Sequence, residues 1–317
     1  MESDNSEGSV YLDCAASTPV RPAVLDAMMP YLTEHFGNPS GSHRMARTSR
    51  AAIDDAREVC ANHLGFDPHG VVFTSGGTEA DNLAIHGACT SNGIAVCAAT
   101  EHHAILHPVE FRSGRVAQVT DDGAVDLDHL ETLLDDNVAV ISVMLVNNES
   151  GRVVDLNPIA DLRDRVAPGA MLHTDAVQGI NWVDIREALR RVDMVSLSGH
   201  KFGAPKGVGA LAIRPGLKLA PQLLGGGQES ERRSGTHNTA GIVAFGAALE
   251  CLAASRLSDI ERLGRLSEQL SEGLISRIDG CSETISRGQR ASGILQLVIQ
   301  GIESEALLVL LERHGVM

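Results

Sequence analysis

Short apolar runs alternate with segments of helical spacing along most of the chain. We predict that the apolar runs are strands, at 71–75, 94–99, 116–119, 138–146, 171–176, 192–197 and 208–213. The segments before and between them are predicted as helices, among them 21–36, 42–64, 127–134 and 157–166. Strands that are apolar throughout and are separated by helices are typical of a sheet covered on both faces. The pattern therefore predicts an α/β fold.

The pattern changes after the last of these strands. Two helices are predicted, at 239–254 and 257–278, followed by a strand at 294–299 and a helix at 304–313. We place a domain boundary near Ser255. The large domain would comprise residues 15–255, and residues 1–14 and 256–317 would form a smaller α+β domain. That smaller domain is expected to be incomplete at its C-terminal end, because the sequence stops at Met317, where a further strand or loop would follow.

Composition and charge narrow the classes of partner. The 317 residues contain 41 acidic and 26 basic side chains, a formal net charge of −15, with no lysine- or arginine-rich run. This balance argues against nucleic acid or an anionic membrane as the main partner. The first nine residues are polar and acidic, unlike a signal peptide, and we find no apolar run of membrane-spanning length. A cytoplasmic location is therefore predicted.

The six cysteines are scattered, without a C-x-x-C pair. Neither a zinc site nor a disulfide framework is indicated, so no metal is predicted.

Lysine is scarce in this chain, and its placement is informative. Three lysines stand against twenty-three arginines, and two of the three, Lys201 and Lys206, lie in one glycine-rich loop between predicted strands. Arginine cannot replace lysine in a Schiff base, because the guanidinium stays protonated. Lys201 is therefore the candidate for covalent attachment of an aldehyde cofactor. The alternative is that both lysines hold a phosphate or carboxylate electrostatically.

Polar residues follow the predicted strands at the edge where α/β sheets bind ligands, at 75–78, 102, 147–149, 175–178 and 198–201. A pyridine aldehyde with a phosphate needs an acid for its ring nitrogen, a flat group over the ring and phosphate donors. Asp175 fits the first need and His102 the second.

The remaining candidates would hold the phosphate or the phenolic oxygen of the ring. Backbone N–H groups of the Gly76-Gly77 turn, together with Thr78, Ser198 and His200, could bind phosphate. Gln178 and Asn148 could reach the phenolic oxygen. Each of these residues also has an ordinary interpretation, such as a helix cap for Asp175, a helix-start residue for His102 or a turn for the Asn147-Asn148 pair.

A glycine-rich loop at 225–238 carries the arginine pair Arg232-Arg233. It is either a solvated connection or a loop that closes over an anion, in this subunit or in a neighbouring one.

Taken in order, seven motifs resemble the cysteine desulfurases of the NifS/IscS-like group, in the class V aminotransferase family of pyridoxal-phosphate enzymes. They are T-S-G-G-T-E-A-D-N (74–82), T-E-H-H-A (100–104), V-N-N-E (146–149), H-T-D-A-V-Q (173–178), S-G-H-K-F-G-A-P-K-G-V-G-A (198–210), G-G-G-Q-E (225–229) and R-S-G-T (233–236).

The resemblance implies a homodimer of the aspartate-aminotransferase-like fold, with a mostly parallel seven-stranded sheet in the large domain. Lys201 would form the imine with pyridoxal 5'-phosphate, Asp175 would pair with the ring nitrogen, and His102 would stack on the ring and assist proton transfer. Gly77, Thr78, Ser198 and His200 would hold the phosphate, Thr236 would do so from the other subunit, and Gln178 and Asn148 would contact the phenolic oxygen.

The implied reaction converts L-cysteine to L-alanine and passes sulfur to an enzyme cysteine as a persulfide, for iron–sulfur cluster assembly or thiolation. In the family that cysteine lies in a serine- and glycine-rich loop beyond the position of Met317, and none of the six cysteines matches it. Cys14 is the nearest substitute, although a buried, inert cysteine is the commoner situation. Alternative functions are a cofactor-binding homologue or dimerising scaffold without desulfurase activity, or a β-eliminating or selenocysteine lyase.

Overall fold

A seven-stranded sheet organises the part of the chain that the computed structural model describes, residues 8–90 and 92–317. Its strands are β1 (Val71–Thr74), β2 (Ile94–Ala98), β3 (Arg115–Ala117), β4 (Val138–Ser142), β5 (Met171–Asp175), β6 (Met194–Ser198) and β7 (Gly209–Ile213). Their order is β1-β7-β6-β5-β4-β2-β3, and β7 runs antiparallel to both of its neighbours while the other pairs are parallel. The predicted α/β class and the mostly parallel seven-stranded sheet are confirmed.

Helices cover both faces of the sheet. They are α1 (Pro22–Met28), α2 (Pro30–Thr33), α3 (Arg44–Leu64), α4 (Gly77–Ala88), α5 (His103–Phe111), α6 (Leu127–Thr132), α7 (Asn157–Val166), α8 (Ile185–Ala188), α9 (Thr239–Ile275) and α10 (Ser304–Arg313). On one face α3 and α9 pack over a core that contains Phe73, Phe202 and Phe245. On the other face α4 and α5 contribute Leu83 and Ile105 to a second core.

The long helix α9 corrects one prediction. Two helices were expected on either side of residue 255, whereas α9 runs without a break for 37 residues. The two residues between the predicted helices, Ser255 and Arg256, are neither glycine nor proline, so nothing in them stops a helix. The predicted domain boundary falls inside this helix, and the division into two domains stays a prediction.

Helix α9 also bears on the expectation that no apolar run reaches membrane-spanning length. By length and composition alone, α9 has an 18-residue window apolar enough to cross a membrane, and half of that window is buried inside the fold. Buried positions such as Phe245, Leu249 and Leu252 pack into the core. This burial is typical of a core helix of a globular domain.

Smaller differences lie at strand ends. Strand β4 ends at Ser142, although the apolar run continues to Val146. Residues 143–146 remain buried, and the N–H groups of Val143 and Leu145 still donate to the carbonyls of His173 and Asp175 on β5. A two-stranded antiparallel sheet pairs β8 (Cys281–Glu283), which was not predicted, with β9 (Leu297–Ile299).

The two segments assigned to the smaller domain meet in the structure. The N–H of Leu12 donates to the carbonyl of Met317 at 2.6 Å, and the N–H of Met317 donates to the carbonyl of Val10 at 3.0 Å.

Candidate active site

A cavity of about 230 Å³ opens at the carboxyl ends of the parallel strands. Nine of the ten residues predicted from the sequence line it: Gly77, Thr78, His102, Asn148, Asp175, Gln178, Ser198, His200 and Lys201. The tenth, Thr236, does not line this cavity and is exposed in the loop 225–238. The structure thus gathers residues from five separate strand ends into one site.

The turn between β1 and α4 forms one end of the cavity. Gly77 is the first residue of α4 and packs so closely that a Cβ atom there would lie 2.9 Å from Val177 Cγ2 and 3.3 Å from Ser198 Cβ. The hydroxyl side chains of Thr78 and Ser198 line the cavity beside this helix start. Free N–H groups at a helix N-terminus and nearby hydroxyls form a site suited to a phosphate group.

Asp175 ends strand β5 at the buried side of the cavity. Its Oδ1 accepts a hydrogen bond from the N–H of Val177 at 2.8 Å, so it closes a local turn rather than capping a long helix. Burial raises the pKa of Asp175 to about 6, and the nearby Lys201 ammonium limits the rise. A buried carboxylate facing a cationic ring would regain the stabilisation it loses by desolvation.

Lys201 lies in a single 3₁₀ turn, Gly199–Lys201, directly after β6. Its Nζ donates to the backbone carbonyls of Ala15 at 2.6 Å and Ala16 at 3.0 Å, so the small-residue N-terminal loop lies against the amine. Burial lowers the pKa of Lys201, against the opposing effect of Asp175 and Asp13. A lowered pKa increases the fraction of neutral amine, which is the nucleophilic form.

His102 is the residue just before α5 and has a fixed orientation. Its Nδ1 accepts a hydrogen bond from the N–H of Ala104 at 3.1 Å, which leaves Nε2 to carry the proton of the neutral ring. Burial lowers the pKa of His102, and the charges of His103 and Lys201 lower it further. Proton exchange at this residue is therefore confined to Nε2.

The two residues of the Asn147-Asn148 pair have different roles. Asn147 forms the turn, since its Oδ1 accepts from the N–H groups of Glu149 and Ser150, while Asn148 lines the cavity. Gln178 also lines the cavity and donates from Nε2 to the carbonyl of Ala15 at 2.7 Å.

Four lining residues were not predicted: Asp81, Met144, Val146 and Val177. Asp81 follows Gly77 by four residues on α4, so helical spacing was the signal that could have identified it. Met144 and Val146 belong to the apolar run that was read as strand interior. Their position could not be separated from core packing by sequence alone.

The loop 225–238 is held against the sheet by a buried carboxylate. Glu229 accepts hydrogen bonds from Arg57 at 2.8 Å, from the N–H of Phe73 at 2.9 Å and from His237 Nε2 at 2.8 Å. These donors hold the pKa of Glu229 at about 2, despite its burial. Three consecutive residues from Glu229 to Glu231 adopt positive φ values of 50°, 56° and 64°, which non-glycine residues rarely do. The ion pair stabilises this strained turn.

We expect Glu229→Gln to lower the free energy of unfolding at pH 7 by about 3 kcal/mol, because Arg57 would remain buried without its counter-charge. The pKa of Glu229 is depressed in the folded state, so its stabilisation is present above the ordinary glutamate range and is lost as pH falls toward about 2. Denaturant unfolding measured at several pH values tests this.

Glu261→Gln is the matched control, because Glu261 pairs with Arg265 on the surface, where both side chains are largely exposed. Equal losses of stability for the two variants would contradict the anchoring role of Glu229.

Cys14 is exposed, whereas Cys60, Cys89, Cys97 and Cys281 are buried. It lines a neighbouring cavity of about 470 Å³ that also touches Gln178 and Lys201. Partial burial and the adjacent Asp13 raise the pKa of the Cys14 thiol. Activated cysteines have a lowered pKa, so the surroundings of Cys14 are those of an ordinary thiol.

At pH 7 we expect Cys14 to react with iodoacetamide no faster than free cysteine, because little of it is thiolate. The rate is measured by timed alkylation and mass spectrometry of the peptide, with Cys14→Ser as the control for its assignment. Alkylation several times faster than free cysteine would show an activated nucleophile.

Comparison with known proteins adds to this geometry. Residues 10–317 match the family model described as aminotransferase class-V. A cysteine desulfurase IscS of Methanosarcina thermophila is 40% identical over 97% of this chain and 78% of the relative, and one of Dictyoglomus turgidum is 37% identical over 97% of this chain and 80% of the relative.

Solved structures agree with these matches. A NifS-like protein superposes with a TM-score of 0.92 at 30% identity, covering 97% of this chain and 86% of that chain. A structure described as SspA in complex with cysteine gives 0.82 at 31% identity, covering 97% and 88%. The chain therefore belongs to the class-V aminotransferase family and, within it, to the cysteine desulfurases of the NifS/IscS-like group.

Proposed function

We propose that this chain binds pyridoxal 5'-phosphate in the cavity and converts L-cysteine to L-alanine, passing the sulfur to an enzyme thiol as a persulfide. Class-V aminotransferases and cysteine desulfurases in general depend on this cofactor. The observation that carries the proposal is that Lys201, Asp175 and His102 line a single cavity with a set of phosphate donors. Amine, carboxylic acid, imidazole and anion-binding groups are the set that this cofactor needs.

The residues present fit the cofactor. Gly77 leaves no room for a side chain between the turn and Ser198, so a phosphate can approach the backbone closely. Thr78, Ser198 and His200 would hold the phosphate, Asp175 the ring nitrogen, and Gln178 and Asn148 the phenolic oxygen. Lys201 would bond to the aldehyde carbon. Oδ1 of Asp81 is buried at the cavity wall and has no hydrogen-bond partner within residues 8–90 and 92–317, which marks a site built for polar contents.

When bound, the cofactor supplies an electron sink that makes protons and leaving groups on the substrate labile. Asp175 would keep the ring nitrogen protonated, and the low-dielectric surroundings would strengthen that contact. His102 exchanges its proton at Nε2, since Nδ1 is held by Ala104. Lys201 is an amine of lowered pKa in the same cavity, and it would take and return a proton there.

The proposed sulfur transfer needs no oxidant or reductant besides an enzyme thiol and the substrate. A thiolate attacks the substrate Sγ, the carbon–sulfur bond breaks, and its electron pair stays with the substrate carbon, which takes a proton to give alanine. The thiol sulfur is oxidised to a persulfide while the carbon is reduced. Among the cysteines that the structure describes, Cys14 is the one that lines a cavity at this site.

We further propose a cytoplasmic homodimer that delivers sulfur to an acceptor protein, including an iron–sulfur scaffold or a thiolation enzyme. An apolar strip on and around α1 and α2 supports the dimer, because Leu25, Met29, Leu32 and Phe36 are all exposed there. In the dimer, Thr236 would bind the phosphate of the partner subunit. Exposure of Thr236 outside its own cavity supports that role.

Alanine formation from L-cysteine by the purified protein loaded with cofactor tests the proposal. Stoichiometric alanine with persulfide or sulfide supports it. Pyruvate with sulfide would instead identify a β-eliminating enzyme, and activity confined to selenocysteine a selenocysteine lyase. Cofactor binding without turnover would favour a scaffold.

A further inference from the structure

A row of buried polar side chains crosses the sheet behind the cavity. Ser142 on β4, His173 on β5 and Ser196 on β6 are each completely buried. Ser142 Oγ lies 2.8 Å from His173 Nδ1, and Ser196 Oγ lies 2.9 Å from His173 Nε2. The two serines therefore satisfy both ring nitrogens of the histidine. Fully satisfied buried polar rows of this kind fix a single arrangement of side chains.

Asp81 connects this row to the cavity. Its side chain on α4 is 2% exposed, and the neighbouring Ser196 hydroxyl acts to lower the pKa of the Asp81 carboxyl, against the larger effect of burial. Oδ1 of Asp81 lies 3.8 Å from His173 Nε2 and has no hydrogen-bond partner among the described residues. The same residue lines the cavity beside Asp175.

The charged groups around Asp81 are mostly acids. Asp175 on β5 and Glu101 in the loop after β2 both raise its pKa, in addition to burial, to well above the ordinary value. The pKa of Glu101 is raised in the same way by burial, and the pKa of Asp175 to about 6. His173 offers no positive charge at neutral pH, because burial lowers its pKa to about 3.

Lys201 is a cation beside this acidic cluster. Its ammonium lowers the pKa of Asp175, and the Asp175 carboxylate raises the pKa of Lys201. Three buried carboxyls beside one half-buried ammonium cannot all ionise.

We propose that Asp81 is a positioning residue that holds a proton at the cavity wall and forms, through Ser196, one end of a buried relay that ends at His173 and Ser142. What this inference implies for the cofactor rests on the proposed function. If Asp81 is neutral, Asp175 is the carboxyl left to ionise and to pair with the ring nitrogen of the cofactor.

The relay has two arrangements that differ by one proton. With Asp81 neutral, its O–H donates to Ser196 Oγ, the Ser196 O–H donates to His173 Nε2, and the ring Nδ1–H donates to Ser142 Oγ. With Asp81 ionised, that proton has left to the cavity, and the Ser196 O–H donates to the carboxylate. His173 then carries its proton on Nε2 and accepts from the Ser142 O–H. The tautomer of His173 thus reports the protonation of Asp81.

The test uses the cofactor-free protein of residues 1–317, so its outcome does not depend on cofactor chemistry. Long-range ¹H–¹⁵N spectra of histidine-labelled protein give the His173 tautomer, assigned by comparison with His173→Gln. At pH 6.5 we expect a neutral ring protonated on Nδ1. Ser196→Ala removes the hydroxyl that donates to Nε2, so the population should shift toward protonation at Nε2. Infrared difference spectra of wild type minus Asp81→Asn should show the C=O stretch of a protonated carboxylic acid.

A charged ring, or a ring protonated on Nε2 in the wild type, would overturn the proposal. An unchanged His173 tautomer in Ser196→Ala would contradict the relay. An infrared difference without the acid band would show that Asp81 is ionised. Cofactor affinity is measured separately for the wild type. A wild type that does not bind the cofactor would contradict the proposed function and would leave the tautomer and infrared results on Asp81 unaffected.

Discussion

Lys201→Arg should abolish covalent attachment of pyridoxal phosphate, because a guanidinium does not form a Schiff base. The positive charge would be kept, so any electrostatic contribution to phosphate binding would remain. After treatment with borohydride, the intact mass of the wild type should increase by that of one reduced cofactor, and the mass of the variant should not. Alanine production should fall to background.

Lys206→Arg is the matched control for this experiment. Lys206 lies in the same loop but is exposed and does not line the cavity. Its variant should retain the adduct. A reduced adduct in Lys201→Arg, or its loss in Lys206→Arg alone, would move the covalent attachment to another amine.

Asp175→Asn should reduce desulfuration by about a thousandfold, because an amide cannot hold the proton on the ring nitrogen, and the lost stabilisation of the transition state would amount to about 4 kcal/mol. The same change should stabilise the cofactor-free protein. The pKa of Asp175 is raised by folding from 3.8 to about 6, so its ionisation opposes folding. The protonated Asp175 side chain stabilises the folded state fully below the ordinary aspartate pKa range. This stabilisation is lost as pH rises through about 6, and the loss amounts to about 3 kcal/mol.

Urea unfolding of the cofactor-free proteins between pH 4 and pH 7 measures this second effect. The wild type should lose stability relative to Asp175→Asn across that range. Asp164→Asn serves as a control, because that carboxylate is exposed and paired with Arg191 at the surface. Parallel stability curves for the wild type and Asp175→Asn would contradict the buried charge, whatever the activity of the variant.

The sheet was predictable because its strands are buried on both faces and read as continuous apolar runs. The cavity followed from the same pattern, since the polar residues after each run lie at one edge of a parallel sheet. The course of α9 was not predictable in this way, because Ser255 and Arg256 are neutral toward helix formation and packing over the core decides their conformation. Strand β8 is three residues long and too short to show a period of its own.

Asp81 shows why part of the site could not be predicted. As one carboxylate among 41 acidic residues, it stands on a helix whose spacing is that of any amphipathic segment. Its significance depends on the contacts of Ser196 and His173, which come from strands more than 90 residues away in sequence. Sequence periodicity contains no information about such pairings. The anchoring of Glu229 by Arg57 was hidden for the same reason.

The unbroken course of α9 limits how the far end of this molecule can move. A 37-residue helix is about 55 Å long, and its first half is fixed in the core by Phe245 and Leu249. A tilt of about 5° at the fixed half would displace the other end by a few ångströms, as a lever does. Any closure of residues 276–317 over a bound substrate would therefore require either bending of this helix or flexing of the chain after Ile275.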